Sequence, residues 1–184
     1  LRFDEVYTEK KREEHALDFA DTELFALKLL VKDPVAEPFT RKELAETLRE
    51  QYEEILIDEY QDTNKLQDTI FAALSKDDLF MVGDVKQSIY RWRNSDWRLL
   101  NQVDQSFGNT QLPKMDSNWR TAELLVKHNE QLMLQYSQWI YQVLQHEGWD
   151  QSIDVQSIKQ IYAQDAIHQE AKQSIPGIIH LQFF

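Results

Sequence analysis

The chain has 184 residues, a net charge of −12 and 42% hydrophobic residues, which suffices for one substantial core, or a core plus an appendage. It has no cysteine, which excludes a disulfide framework, and no apolar run approaches the length of a membrane span. The acidic balance argues against a general polyanion-binding surface and, taken alone, favours an acidic protein-interaction module.

The first quarter of the chain is predicted to form two helices separated by a loop. The first helix ends near residue 30 and is indicated by four apolar residues, Phe19, Leu24, Leu27 and Leu30. Residues 33–39 contain two prolines and predict the loop. Thr40 and Glu43 have the spacing of a capping box, so a second helix is expected over residues 41–53.

A parallel βαβ unit is predicted next, which places the chain in the α/β class. The run ILI at residues 55–57 predicts a strand buried on both faces, and residues 79–82 predict another. Between them, Leu66, Ile70 and Leu74 recur at helical spacing. Two parallel strands need such a crossover, so the three elements support one another.

The remaining elements are predicted from local signals. Asp96 can cap a helix through Phe107, and residues 111–115 predict a third short strand. A long amphipathic helix is expected over residues 122–147, ended by Gly148. The glutamine-rich segment 151–173 predicts a further helix with a loosely ordered loop, giving a helical segment over 122–173. The terminal IIHLQFF predicts a strand.

The first predicted strand delivers two adjacent carboxylates, Asp58 and Glu59, to its carboxyl end. In α/β sheets this edge holds catalytic groups. One carboxylate can hold Mg²⁺, which prefers oxygen ligands and keeps much of its water, and the other can orient and polarise a water. The alternative is an ordinary solvated strand end.

The second strand delivers Gly83 and Asp84 to the same edge, and then Lys86, Gln87 and Ser88. Gln87 is a candidate neutral sensor of a phosphate or of its attacking water. Beyond it, aromatic and cationic residues alternate, as in platforms that stack nucleic-acid bases and hold phosphates. They are Tyr90, Arg91, Trp92 and Arg93. The alternative for Tyr90 and Trp92 is ordinary packing in the core.

In these segments the chain resembles the UvrD/Rep-type superfamily 1 DNA helicases, and within them the AddA and RecB helicase-nuclease subunits. DEYQDT resembles motif II, the Walker B element, and GDVKQSIYRWR resembles motif III. MDSNWRT is similar to motif IV, with Trp119 where Tyr or Phe is usual, and LDFADTEL resembles the element preceding motif II. The four ordered matches cover residues 16–126.

The resemblance implies specific roles for the candidate residues. Asp58 would hold Mg²⁺, Glu59 would activate the hydrolytic water, and Gln87 would read the γ-phosphate of ATP. Arg120, otherwise a surface arginine, would be the finger that stabilises the transferred phosphoryl group. Single-stranded DNA would stack on the four-residue platform, within a protein that also engages duplex DNA.

The resemblance also implies a P-loop, RecA-like fold divided near residue 110. Residues 1–110 would be the later part of the first RecA-like domain, and residues 111–184 would hold motif IV and the start of the second. The parent would be a cytoplasmic, ATP-dependent helicase in double-strand-break repair, translocating 3′ to 5′. Its partners would be its own remaining domains and a second helicase-nuclease subunit, with no membrane.

One element of such an ATPase is missing from the sequence. The chain has four glycines, and none lies in a GxxxxGKS or GxxxxGKT phosphate loop. The chain also begins at Leu1 without Met. We therefore expect an internal portion of a larger helicase that is inactive alone. Two alternatives are a non-catalytic interaction module derived from a helicase and a P-loop nuclease or ATPase without unwinding.

Overall fold

The computed structural model describes residues 2–36, 38–76, 78–103, 107, 113–149, 151–180 and 182. It divides into two compact units, Leu1–Thr110 and Gln111–Phe184. The first unit contains five described helices: α1 (Arg2–Glu13), α2 (Phe19–Leu30), α3 (Glu43–Arg49), α4 (Lys65–Leu74) and α5 (Trp97–Asn101). Its two described strands are β1 (Ile55–Ile57) and β2 (Leu79–Met81).

The predicted βαβ unit is present in the first unit. Strand β1 pairs in parallel with β2, with Ile55 opposite Leu79. Helix α4 connects them and begins with a capping box in which the Asn64 side chain accepts from the backbone of Gln67. The crossover helix predicted from apolar spacing is therefore confirmed.

The prediction that β1 is buried on both faces is wrong. Leu56 and Phe80 are partners in the sheet register, and they are 69% and 60% exposed. The sheet has two described strands, and one of its faces is left open at this pair. The core lies among α2, α3 and α4, and its buried residues are Leu27, Leu30, Val31, Ala45 and Ala73.

The predicted capping box at Thr40 is also wrong. Helix α3 begins after Lys42, whose side chain makes no capping hydrogen bond. Thr40 is extended instead, because its carbonyl accepts from the Lys32 backbone at 2.8 Å and Lys42 N–H donates to Leu30 at 2.8 Å. The backbone bridge overrides the local cap signal.

The second unit contains three described helices and a short parallel pair. The helices are α6 (Glu123–His146), α7 (Ile153–Ile161) and α8 (Gln164–Ile167). Strand β3 (Ser117–Asn118) pairs with β4 (Glu170–Ala171). The long helix predicted over 122–147 is confirmed as α6, and Gly148 follows it with φ +76°.

Two strands predicted in this part of the chain are not found where expected. Residues 113–115 have no regular structure, and 111 and 112 lie outside the described residues. Residues 178–180 likewise form no strand, and 181, 183 and 184 are outside the description. The short strand β3 takes β4 from the glutamine-rich segment as its partner instead.

The remaining helix prediction is partly confirmed. Asp96 does cap a helix, since its side chain accepts from the backbone of Arg98, but α5 ends at Asn101. Of the predicted extension to Phe107, residues 104–106 lie outside the described part of the chain. Across the residues that the structure describes, no helix is both long and apolar enough to cross a membrane.

Candidate functional site

The carboxyl ends of β1 and β2 meet at one edge of the first unit. Val82 N–H donates to Ile57 at 2.8 Å, and Tyr60 N–H donates to Val82 at 2.9 Å. Backbone hydrogen bonding therefore continues past both strands and into the turns that follow them. The polar residues of the two turns are brought together by this pairing, as the parallel arrangement predicts.

The two predicted catalytic carboxylates lie in the first turn. Asp58 and Glu59 are exposed, and Asp58 Oδ1 accepts from the backbone N–H of Glu59 at 2.9 Å. Glu59 has φ 54° and ψ 40°, the left-handed conformation, which costs a non-glycine residue about 1–2 kcal/mol. The left-handed residue turns the chain from the strand into a single 3₁₀ turn, Tyr60–Asp62.

Gln61 connects the two turns from inside the protein. Its side chain is 1% exposed, and its Nε2 donates to Glu59 Oε2 at 2.6 Å. Its Oε1 accepts from the backbone N–H of Asp84 at 3.0 Å, and its backbone carbonyl accepts from Ser88 Oγ at 3.1 Å. Gln61 thus contacts a predicted catalytic carboxylate and the second turn simultaneously.

Gly83 is required by the closeness of this contact. A Cβ at this position would lie 2.7 Å from Gln61 Oε1 and 2.9 Å from Leu100 Cδ2. Real Cβ atoms do not approach other heavy atoms so closely. The glycine in the second turn therefore makes room for the Gln61 amide, and it does so without a positive φ.

Asp84 organises the residues that follow the second strand. Its Oδ1 accepts from Lys86 N–H at 3.0 Å and pairs with Lys86 Nζ at 2.7 Å, and its Oδ2 accepts from Gln87 Nε2 at 3.2 Å. Burial alone would raise the pKa of Asp84, but the hydrogen bonds and charge of Lys86 hold it below its usual value. The predicted phosphate sensor Gln87 is exposed and held by an ionised Asp84.

Asp62 is a further carboxylate that the sequence did not single out individually. Burial, and secondly the nearby Glu59, raise its pKa, while the backbone N–H of Ile89 donates to it. Within the described residues, its buried Oδ1 has no hydrogen-bond partner. The only sequence signal for Asp62 and Gln61 was their place in the DEYQDT motif.

Tyr60 anchors the first turn to the crossover helix. The Tyr60 ring is fully buried, and its hydroxyl donates to Asp68 Oδ1 at 2.5 Å. Burial first, and this hydrogen bond second, raise the pKa of Tyr60 well above its usual value. The turn that carries Glu59 is thus fixed to α4 by a buried, neutral phenol.

The predicted nucleic-acid platform forms a single exposed turn, Arg91–Arg93. The Tyr90 and Trp92 rings meet edge to face at 6.1 Å, and the Arg93 guanidinium lies 5.5 Å from the first and 5.7 Å from the second. Trp92 is 78% exposed, so packing of Trp92 in the core is excluded. A flat aromatic face with a cation beside it is what base stacking uses.

Arg120 lies in the second unit. It is exposed, and its backbone N–H donates to the side chain of Asn118 at 3.0 Å. Asn118 also accepts from Thr121 at 2.9 Å, which forms the turn that precedes α6. Asp58, Glu59 and Gln87 are brought together within the first unit, whereas Arg120 is positioned by an element of the second.

The carboxylates suit a magnesium ion that brings most of its own ligands. Asp58 is exposed, and only its Oδ1 takes part in a hydrogen bond among the described residues. In the same part of the chain, no group of three histidine, cysteine or acidic side chains gathers into a metal site. One or two carboxylates, completed by water and phosphate oxygens, are the usual protein ligands of Mg²⁺.

Comparison with known proteins identifies the class to which this site belongs. The model of the UvrD/REP helicase N-terminal domain matches residues 1–108, and the chain belongs to this family. The resemblance drawn from the motifs is confirmed at the level of the family. The identity of the individual motifs II, III and IV remains a prediction.

Curated relatives are AddA-type subunits of ATP-dependent helicase/nucleases. The chain is 50% identical to that of Staphylococcus saprophyticus over 97 residues, which are 50% of this chain and 8% of the relative. It is 44% identical to that of Alkaliphilus oremlandii over 109 residues, 59% of this chain and 8% of the relative. The relative from Heliobacterium modesticaldum is 47% identical over 109 residues, with 58% and 8% covered. The matched segment is therefore a small part of each relative.

Proposed function

We propose that this chain supplies the ATP-hydrolysing edge and a single-stranded DNA contact of a UvrD/REP-type helicase, within a helicase/nuclease of the AddA type. The observation that supports this most is the joining of Glu59 to Gln87 through Gln61 and Asp84. A solvated strand end has no need of a buried amide that links two turns. The parallel βαβ unit is consistent with a RecA-like, P-loop core.

The chemistry follows from the positions of the carboxylates. Asp58 would bind Mg²⁺, which when present with ATP neutralises charge on the phosphate oxygens. Glu59 would accept a proton from the attacking water, and Gln61 holds its carboxylate by one oxygen only. Gln87 would contact the γ-phosphate or the water through its exposed amide.

Arg120 would stabilise the negative charge that develops on the transferred phosphoryl group, as an arginine finger does. The resemblance assigns it this role, and its exposed position on the turn before α6 leaves the side chain free to reach a nucleotide. Completion of the nucleotide site would require the phosphate loop of the longer protein.

DNA would bind at the aromatic turn. The net charge of −12 repels a polyanion in general, so cations must act locally. Arg91 and Arg93 would hold phosphates, while Tyr90 and Trp92 would stack on bases. We also propose that the full protein moves 3′ to 5′ on DNA, acts in double-strand-break repair and pairs with a second helicase-nuclease subunit.

The experiment is a comparison of the full-length protein that carries this chain with its Asp58→Asn variant. We expect Mg²⁺-dependent, DNA-stimulated ATP hydrolysis and strand displacement in the wild type, and loss of both in the variant. Asp33→Asn, in the loop after α2, is the control and should behave as wild type. Hydrolysis that survives Asp58→Asn would contradict the metal role, and hydrolysis without strand displacement would indicate an ATPase that is not a helicase.

A further inference from the structure

Gln61 combines deep burial with polar chemistry in a way that the fold alone does not require. At 1% exposure it is one of the most enclosed side chains among the described residues. A buried amide is tolerated when its hydrogen bonds are made, and an apolar residue would fill the same space at less risk. The two ends of this amide have different partners, and those partners define its role.

The donor end of Gln61 restrains Glu59. Glu59 is exposed, so its side chain would otherwise sample several rotamers. The 2.6 Å hydrogen bond from Nε2 engages Oε2 alone, and among the described residues Oε1 has no hydrogen-bond partner. The carboxylate is therefore held in one orientation while an oxygen stays available to a water.

The acceptor end of Gln61 reaches the second turn. Oε1 accepts from Asp84 N–H at 3.0 Å, and the Asp84 carboxylate in turn accepts from Gln87 Nε2. A continuous series of hydrogen bonds therefore runs from Glu59 to Gln87 through one buried side chain. The absence of a Cβ at Gly83 leaves the space that this series occupies.

We propose that Gln61 is a positioning residue for ATP hydrolysis, which orients the Glu59 carboxylate and fixes it relative to Gln87. This inference rests on the function proposed above. Gln61 does not touch the nucleotide, and it acts through Glu59 on one side and Asp84 on the other. A catalytic group misplaced by about 1 Å can lose about 10²-fold in rate, which sets the expected scale of the effect.

The chain offers a closely matched control in Gln67. Its Nε2 donates to a glutamate, Glu23 Oε1, at 2.7 Å, and its Oε1 accepts from Asn64 N–H at 3.2 Å. Gln67 thus makes the same two kinds of hydrogen bond as Gln61, at the start of α4. Replacing either glutamine by glutamate removes the donor, keeps an acceptor and adds a charge beside a carboxylate.

The test is single-turnover ATP hydrolysis by the full-length protein, with rates expressed per nucleotide-binding site so that only folded molecules count. Gln61→Glu should slow hydrolysis by about 10²-fold and leave the Kd for ATP within about twofold, since orientation matters in the transition state. Gln67→Glu should leave both unchanged. Gln61→Asn, which keeps an amide but is one methylene shorter, should also be slow.

A double variant separates positioning from a structural role. Adding Gln61→Glu to Glu59→Gln should cause no further loss of rate, because there is no longer a general base to orient. Multiplicative losses would contradict the proposal, as would a wild-type rate in both Gln61 variants. If Glu59→Gln itself retains turnover, the proposed function fails; if only the Gln61 variants retain it, the function stands and the positioning role fails.

Discussion

The backbone N–H of Asp96 donates to the carbonyl of Thr63 at 3.0 Å, which joins the end of the aromatic turn to the end of the carboxylate turn. Ile89 N–H donates to Asp62 at the other end of the same loop. The loop that carries Tyr90 and Trp92 is therefore attached at both ends to the segment that carries Glu59. A contact with DNA on this loop has a short covalent and hydrogen-bonded route to the proposed hydrolysis site.

Trp92→Ala in the full-length protein should weaken binding to single-stranded DNA by about 1–3 kcal/mol, the scale of one base stacked on an aromatic ring. The melting temperature should stay close to wild type, because the side chain is 78% exposed. Fluorescence titration with a labelled oligonucleotide measures the affinity.

Trp139→Ala is the matched control, since this tryptophan is 61% exposed and lies on α6 in the second unit. It should leave DNA affinity unchanged. A Trp92 variant with normal affinity and a much lower melting temperature would overturn the stacking role.

Tyr60→Phe should lower the free energy of unfolding by about 1–3 kcal/mol, because Asp68 would lose a buried hydrogen-bond donor. Urea unfolding of the 184-residue chain, followed by circular dichroism, measures the change. Tyr52→Phe is the control, because Tyr52 is 45% exposed and should change little. Equal stability of the two variants would show that the Tyr60 hydroxyl does not anchor the turn.

The contact between α1 and α2 should weaken in acid. Asp21 N–H, followed by Lys11, holds the pKa of Asp18 below its ordinary value of 3.8, and Lys11, followed by Asp18 N–H, does the same for Asp21. Carboxyls with lowered pKa stabilise the fold above the ordinary value, and this contribution is lost as the pH falls through the lowered pKa. Unfolding measured from pH 6 to about pH 2 should therefore show a loss of stability that Lys11→Met reduces. An identical acid dependence in that variant would contradict the assignment.

Arg120→Ala in the full-length protein should lower ATP turnover by about 10³-fold or more if Arg120 is an arginine finger. Arg2→Ala, an exposed arginine on α1, is the control and should have wild-type turnover. Rapid-quench measurement of a single turnover isolates the chemical step. A loss smaller than about tenfold would reject this role.

Local patterns in the sequence predicted much of the fold. Apolar spacing predicted α4 and α6, a turn glycine predicted the end of α6, and Asp96 was correctly predicted to cap α5. These features depend on neighbours within a few residues, which the sequence displays directly. The proximity of the Glu59 and Gln87 turns followed from parallel pairing.

What the sequence did not reveal depends on contacts between distant segments. The burial of Gln61 requires the left-handed Glu59, the space at Gly83 and the backbone of Asp84 together. Thr40 has a good cap pattern, but its carbonyl is engaged by Lys32. The exposure of Leu56 depends on how many elements cover the sheet, which a three-residue apolar run does not reveal.

Whether the β1 end is an ATP-hydrolysis site can be decided by single-turnover hydrolysis in the full-length Glu59→Gln variant. We expect retained ATP binding and a loss of hydrolysis, because the amide keeps the shape of the side chain but cannot accept the proton. Glu54→Gln, an exposed glutamate just before β1, should be indistinguishable from wild type. Near-wild-type hydrolysis by Glu59→Gln would show that the β1 end is not the site of hydrolysis.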